Sequence, residues 1–231
     1  GFRVFFLNPV KDLYALSELL LKATPLMLCA IGLAIGFRAN VWNIGAEGQF
    51  MLGAVAATGV ALYFGDSESA LVLPAMVLAG AAGGAAWAAI PALLRTRFNA
   101  NEILVSLMLV YVAQLFVSWL VFGPWKDPDG FNFPQTRMFA EAATLPMVIE
   151  GTRLHFGFAI ALAALVAGYA FMNRSHAGFR MRVAGEAVDA ARYAGFSATR
   201  MIWVGLLLGG AAAGLAGMGE VAGPMGQLTD K

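Results

Sequence analysis

Asn43, Glu47 and Gln49 lie within the seven residues Asn43-Ile44-Gly45-Ala46-Glu47-Gly48-Gln49, between two long apolar runs. Two amides and a carboxylate can accept and donate hydrogen bonds to a polar solute, or hold a coupling ion; they cannot act as a strong nucleophile. A carboxylate set into an apolar run costs about 2.5–3.5 kcal/mol on insertion scales, so it requires protein partners or a wet cavity. Gly45 and Gly48 loosen any helix there, and in a helix Asn43 and Glu47, four apart, would share a face. Two readings stand. A broken helix near 38–49 could line a path with its freed backbone and polar side chains, or a buried network could simply fix a bend.

Two other places carry polar groups at the margins of apolar runs. Asn101 and Glu102 belong to Asn99-Ala100-Asn101-Glu102, ahead of a fourth apolar run. They read either as a second polar cluster on a path or as a plain helix start, with asparagine as cap and an acid favoured by the dipole. Glu220, in Gly217-Met218-Gly219-Glu220-Val221, is a further acid at the end of the last run. The expected catalytic residues are none. The chain has no phosphate loop, no H-E-x-x-H and no G-x-S-x-G, so it cannot hydrolyse ATP by itself, and no cofactor or metal is expected. His155 and His176 stand alone in separate loops and read as solvated, and Cys29 reads as inert packing.

The elements that must carry these groups follow from composition. Of 231 residues 60% are hydrophobic and 13% charged, whereas a soluble domain carries about 25% charged residues. A net charge of +1 gives no field for nucleic acid. A hydrocarbon core of about 30 Å takes about 20 apolar residues as helix. Six stretches qualify, at 16–36, 44–64, 70–94, 103–122, 154–172 and 201–222, predicting an all-α, polytopic transmembrane helix bundle. The first contains Glu18 and Lys22 at i,i+4 spacing, and Pro25. The chain reads as one transmembrane domain over 1–231, a fragment at both ends: it opens on Gly1 rather than Met and stops at Lys231 just after an apolar run.

Charge sets orientation. Arg95 and Arg97 lie in one connection and Arg174, Arg180, Arg182, Arg192 and Arg200 in the loop 173–200, which puts both in the cytoplasm. The connection 65–69, with Asp66 and Glu68, and the loop 123–153 then face outward. The latter, rich in proline and aromatics, predicts irregular but ordered structure. Residues 186–193 predict a short helix bracketed by Gly185 and Gly195, a means of passing on a push from a cytoplasmic partner or else a helix lying on the membrane. Gly80, Gly83, Gly84, Gly205, Gly209, Gly210, Gly214 and Gly217 predict close helix packing.

The run Asn43 to Gln49 resembles the N-I-G-A-E-G-Q signature of permease subunits from ABC importers of the nucleoside and simple-sugar class, related to branched-chain amino acid and ribose permeases. Asn101-Glu102-Ile103 with Leu107-Met108-Leu109 resembles the family's N-E-[VI] and following helix. Gly185-Glu186, Ala190-Ala191 and Tyr193-Ala194-Gly195 resemble its coupling loop, and Gly214-Leu215-Ala216-Gly217 through Gly219-Glu220 its A-G-L-A-G segment. Asn99-Ala100 departs from the family, which often has a glycine-containing turn there, and the family has further spans before and after this region. The resemblance implies an importer of two permease subunits, cytoplasmic ABC ATPase subunits and an extracytoplasmic substrate-binding lipoprotein, in a bacterial-type plasma membrane. It implies a substrate path near Asn43, Glu47, Gln49, Asn101, Glu102 and Glu220. It also implies ATPase coupling through Gly185, Glu186, Asp189, Ala190, Ala191 and Tyr193 in the loop 173–200.

The expectation is therefore a multi-pass permease moving nucleosides or simple sugars, not an enzyme, surrounded by membrane lipids. The rival is an ion-coupled secondary transporter of a small polar solute, in which Glu47 and Glu220 take coupling ions and no docking helix is needed.

Overall fold

In a computed structural model the described residues are 2, 7, 10–65 and 67–229. Asp66, Gly1 and Lys231, which the sequence reading used, lie outside them. Eight α-helices follow one another among the described residues: α1 (Leu13–Arg38), α2 (Ala46–Phe64), α3 (Val72–Phe98), α4 (Glu102–Phe122), α5 (Gly157–Arg174), α6 (His176–Glu186), α7 (Val188–Tyr193) and α8 (Ala198–Glu220), with a 3-10 turn at Glu141–Ala143 and a π-turn at Val221–Met225. Among the described residues there is no strand, only two isolated bridges. Five helices among the described residues are long and apolar enough to cross a membrane: α1, α3, α4, α5 and the run Ala198–Met225. The 19-residue α2 stands outside that count; its first turn carries Glu47 and Gln49, which lower its apolarity.

α8 is the spine. It packs against α1, α2 and α3, and each crossing is built on glycine. A Cβ on Gly84 would fall 2.1 Å from the Gly210 carbonyl oxygen, one on Gly53 2.2 Å from the Gly214 Cα, and one on Gly32 2.9 Å from the Gly209 carbonyl. In lipid no hydrophobic effect drives helices together, so the close approach of bare backbones maximises dispersion and supplies the adhesion instead. The small-residue spacing read from the sequence is thus the packing code of the core.

The chain enters α2 by an unusual route. α1 ends at Arg38, Asn40 takes a left-handed φ of 54°, and residues 41–45 run without helix until Ala46. The link does not stay at the rim. Gly48 abuts Trp87 of α3 and Gly209 abuts Asn43, while Trp203 of α8 donates to Thr96 near the end of α3. At 1.5 Å per residue those offsets recess the start of α2 by roughly 10 Å from the basic end of α3. The interruption expected near 38–49 is real, and it takes the form of an extended link tucked into the bundle. Asn43 precedes the first turn of α2, so the expected shared helix face of Asn43 and Glu47 is not formed.

At the opposite end, residues 123–156 form the ordered, irregular cap that their composition predicts. Thr136 N–H donates to the Leu228 carbonyl (3.0 Å), Phe139 N–H to Gly226 (2.8 Å) and Leu145 N–H to Ala222 (2.7 Å), stitching the cap to the π-turn. Glu18 pairs with Arg153 of this cap, and Lys22 lies 3.9 Å from Glu220, so these two charges in the first half of α1 reach other elements rather than each other. Beside the Glu18 carboxylate the Arg153 guanidinium is pushed above its ordinary value.

Candidate functional site

The seven polar-rich residues separate into two fates. Asn43 and Gln49 are buried and close on each other: Asn43 Nδ2 donates to Gln49 Oε1 at 2.8 Å, Gln49 Nε2 donates to Asn43 Oδ1 at 3.0 Å, and the Gly45 N–H adds a third bond to Asn43 Oδ1 at 3.1 Å. The pair bolts the extended link to the first turn of α2. Gly45 seats directly on Ser106 of α4, where a Cβ would come within 2.8 Å, and the Ile44 N–H donates to Ser106 Oγ at 3.2 Å. With its neighbours fixed in this way, Glu47 turns outward and is exposed.

Glu47 lines a cavity of about 430 Å3 between α2, α4 and the end of α8, with Phe50, Met51 and Ala54 beside it. Glu220 lines the same cavity, in company with Gln114 and Ser118 of α4 and Thr229 beyond the π-turn. Two of the six residues expected on a path therefore meet at one void. Gln114 and Ser118 were not singled out from the sequence, although both are polar residues in the helix with the highest mean hydropathy of the five, 2.2. That incongruity, at i,i+4 spacing on one face, was the signal.

Asn101 and Glu102 lie elsewhere. Asn101 caps α4, its Oδ1 accepting from the Ile103 N–H at 2.9 Å, and Glu102 in the first turn forms an ion pair with Arg95 at the end of α3. The Trp42 N–H also donates to Glu102, at 3.4 Å, so the acid ties α3, α4 and the extended link together. This is the helix-start arrangement that their residue types allow.

The loop 173–200 holds two helices where one was expected over 186–193. Glu186 ends α6, Ala187 breaks the helix with φ −142° and ψ 76°, and α7 carries Asp189, Ala190, Ala191 and Tyr193. Gly185 presses on the α1 terminus, where a Cβ would lie 2.3 Å from the Arg38 carbonyl oxygen. Ala191 is buried, whereas Tyr193 is 98% exposed and Glu186, Asp189 and Ala190 face outward as well. A rigidly backed elbow thus presents an aromatic ring and charges to whatever lies beyond it.

His155 is not solvated, contrary to the expectation from sequence. It is 4% exposed, its Nδ1 accepts from the Gly157 N–H at 3.1 Å, and its ring lies against Gly223 of the π-turn. Burial pushes its pKa below the ordinary histidine value. A void of about 10 Å3, water-sized, lies between His155, Thr24 and Glu220, so Glu220 borders both voids. His176 is exposed, and among the described residues no group of three His, Cys, Asp or Glu side chains converges.

Comparison with known proteins decides the family. Residues 15–227 match the model of the branched-chain amino acid transport system permease component. The chain belongs to this permease family. A glucose ABC transporter permease protein of Haloferax volcanii is 41% identical over 99% of the chain and 62% of its own length. A guanosine ABC transporter permease protein of Bacillus subtilis is 33% identical over 92% of the chain and 61% of its own length, and a nucleoside ABC transporter permease protein of Lactococcus lactis is 27% identical over 94% and 62%. The chain therefore spans about three fifths of the length of these relatives. No solved structure matches it significantly. Membership in this permease family, with five membrane-length apolar helices, makes it a multi-pass plasma-membrane protein.

Proposed function

We propose that the chain forms the core of a permease subunit in an ATP-driven importer that moves nucleosides or simple sugars. The observation carrying this reading is the cavity where Glu47, Glu220, Gln114 and Ser118 converge beside Phe50, with no lysine or arginine among the described residues of its lining. Such a surface offers acceptors to hydroxyl and ring N–H donors and one apolar face to a sugar or base. The relatives' names, for glucose, guanosine and nucleosides, support the same solute chemistry.

In this reading Glu47 and Glu220 face the solute, while Asn43, Gln49, Asn101 and Glu102 hold the walls of its path. A second permease subunit covers the open flank of the cavity, an extracytoplasmic lipoprotein delivers solute at the cap, and a cytoplasmic ABC ATPase grips the elbow. Gly185 and Ala191 seat that elbow, and Glu186, Asp189, Ala190 and Tyr193 meet the motor. ATP hydrolysis belongs to the ATPase, and the basic end is cytoplasmic by its arginines.

The test is uptake by the full transporter in proteoliposomes. Glu47→Gln is expected to slow uptake about tenfold, the worth of one charge-assisted hydrogen bond, with an unchanged melting curve; wild-type uptake would remove the acid from the path. Charge reversal at Glu186, or a bulky residue at Ala190, is expected to abolish stimulation of the ATPase while insertion persists. Uptake that follows an ion gradient without any ATPase would establish the ion-coupled rival.

A further inference from the structure

The basic end holds a separate cavity of about 200 Å3, bordered by Arg180 of α6, Phe196, Ser197 and Arg200 in the first turn of α8. It shares no lining residue with the void at Glu47 and Glu220. The guanidinium of Arg180 lies 5.5 Å from the centre of the Phe196 ring, which in turn meets Phe179 edge-on at 6.4 Å. The cation is therefore held on a fixed aromatic platform.

Two arginines converge here without an internal counter-charge. Among the described residues neither Arg180 nor Arg200 has a carboxylate within ion-pair distance, and the acid of α7, Asp189, lies 3.7 Å from Arg192. Arg200 also occupies the first turn of a 23-residue helix that has no acid there, where a cation opposes the macrodipole. An anion entering the concavity would supply a counter-charge to both exposed guanidinium groups. A guanidinium fork matches phosphate oxygens in geometry as well as in charge.

We infer that this pocket binds a phosphate group, carried by an anionic lipid headgroup or free in solution. The lipid source has a specific feature in its favour: Phe179, 58% exposed beside the pocket, offers an apolar surface to acyl chain next to the two cations.

The experiment uses the full-length permease. Protein extracted from nanodiscs of phosphatidylcholine with or without phosphatidylglycerol is examined by native mass spectrometry for retained phosphatidylglycerol, and detergent-solubilised protein is titrated with inorganic phosphate. Wild type is expected to retain phosphatidylglycerol, and each of Arg180→Gln and Arg200→Gln to weaken retention about tenfold, with Arg174→Gln, outside the pocket, unchanged. Phosphate binding without lipid retention assigns the pocket to the free anion, and displacement of the lipid by phosphate assigns both to one site. Failure of wild type to bind either probe overturns the inference. So does undiminished binding by the Arg180→Gln/Arg200→Gln variant, or loss of ATPase association with lipid and phosphate binding intact. Arg180→Lys, which keeps charge but not the fork, reports on the pocket should the double variant fail to fold; binding equal to wild type would again count against it.

Discussion

The two flanks of α2 are built on opposite principles. Toward α3 and α8 it packs against Gly83, Gly214 and Gly217, with no room even for a methyl group. Toward α4 and the π-turn it borders an open void with carboxylates at Glu47 and Glu220. One flank is closed by contact and the other stays open. The same division runs through the segment 43–49, where the amides satisfy each other and the acid does not. The lesson is that a polar residue in an apolar run says only that something must be satisfied; the local backbone decides whether a neighbour or a solute does it.

The sharpest way to break this contrast is to thicken the dry flank. Gly53→Val is expected to prevent formation of a monodisperse bundle on size exclusion in detergent, because its Cβ alone would sit 2.2 Å from the Gly214 Cα, a backbone atom that no rotamer change can move; overpacking of this kind costs about 1–3 kcal/mol or more. Next comes the amide pair. Asn43→Leu or Gln49→Leu should each cost about 1–3 kcal/mol by orphaning the other amide. The double variant should regain part of that loss, giving a non-additive cycle in thermal melts. An additive result would mean that the two amides do not act as a unit.

A smaller effect belongs to His155. Its pKa is lowered in the folded protein by burial, so the unfolded chain binds the extra proton more readily. The contribution to stability is fully present above the ordinary histidine value and is lost as pH falls through it toward the depressed folded value. Protonation would also set an N–H against the Gly157 N–H that Nδ1 now accepts. Protection factors of the amides at Leu145 and Gly157, corrected for intrinsic exchange, should fall on acidification, and His155→Gln should flatten that dependence. A pH-independent protection factor in wild type would dismiss the histidine as a lock on the cap.

Much of the architecture was legible because lipid imposes a single rule, that apolar runs of sufficient length become helices: the runs at 16–36, 103–122 and 201–222 fall within α1, α4 and the α8 span, and the run at 70–94 overlaps α3 from Val72 on. The glycine crossings were legible for the same reason. What escaped were features set by three-dimensional company. Nothing local in Glu186 to Tyr193 announces a break at Ala187; it arises where the chain leaves the Arg38 carbonyl, against which Gly185 is pressed. His155 is surrounded in sequence by loop residues, yet the π-turn folds over it. Gln114 and Ser118 went unremarked because two polar residues hardly dent so apolar a helix, and only the void beside them gives them meaning.

The extended link between Arg38 and Ala46 has a mechanical consequence. A full helix resists change as a rod, since altering its course breaks a ladder of bonds at once. Five residues of unladdered chain, fastened at Asn43–Gln49 and resting on Ser106, can be re-aimed by a few torsions once those fastenings yield. Inward movement at Gly185 would press first on the Arg38 carbonyl at the head of that link. A shove there would reach the first turn of α2, where Glu47 sits, through unladdered chain rather than through a rod.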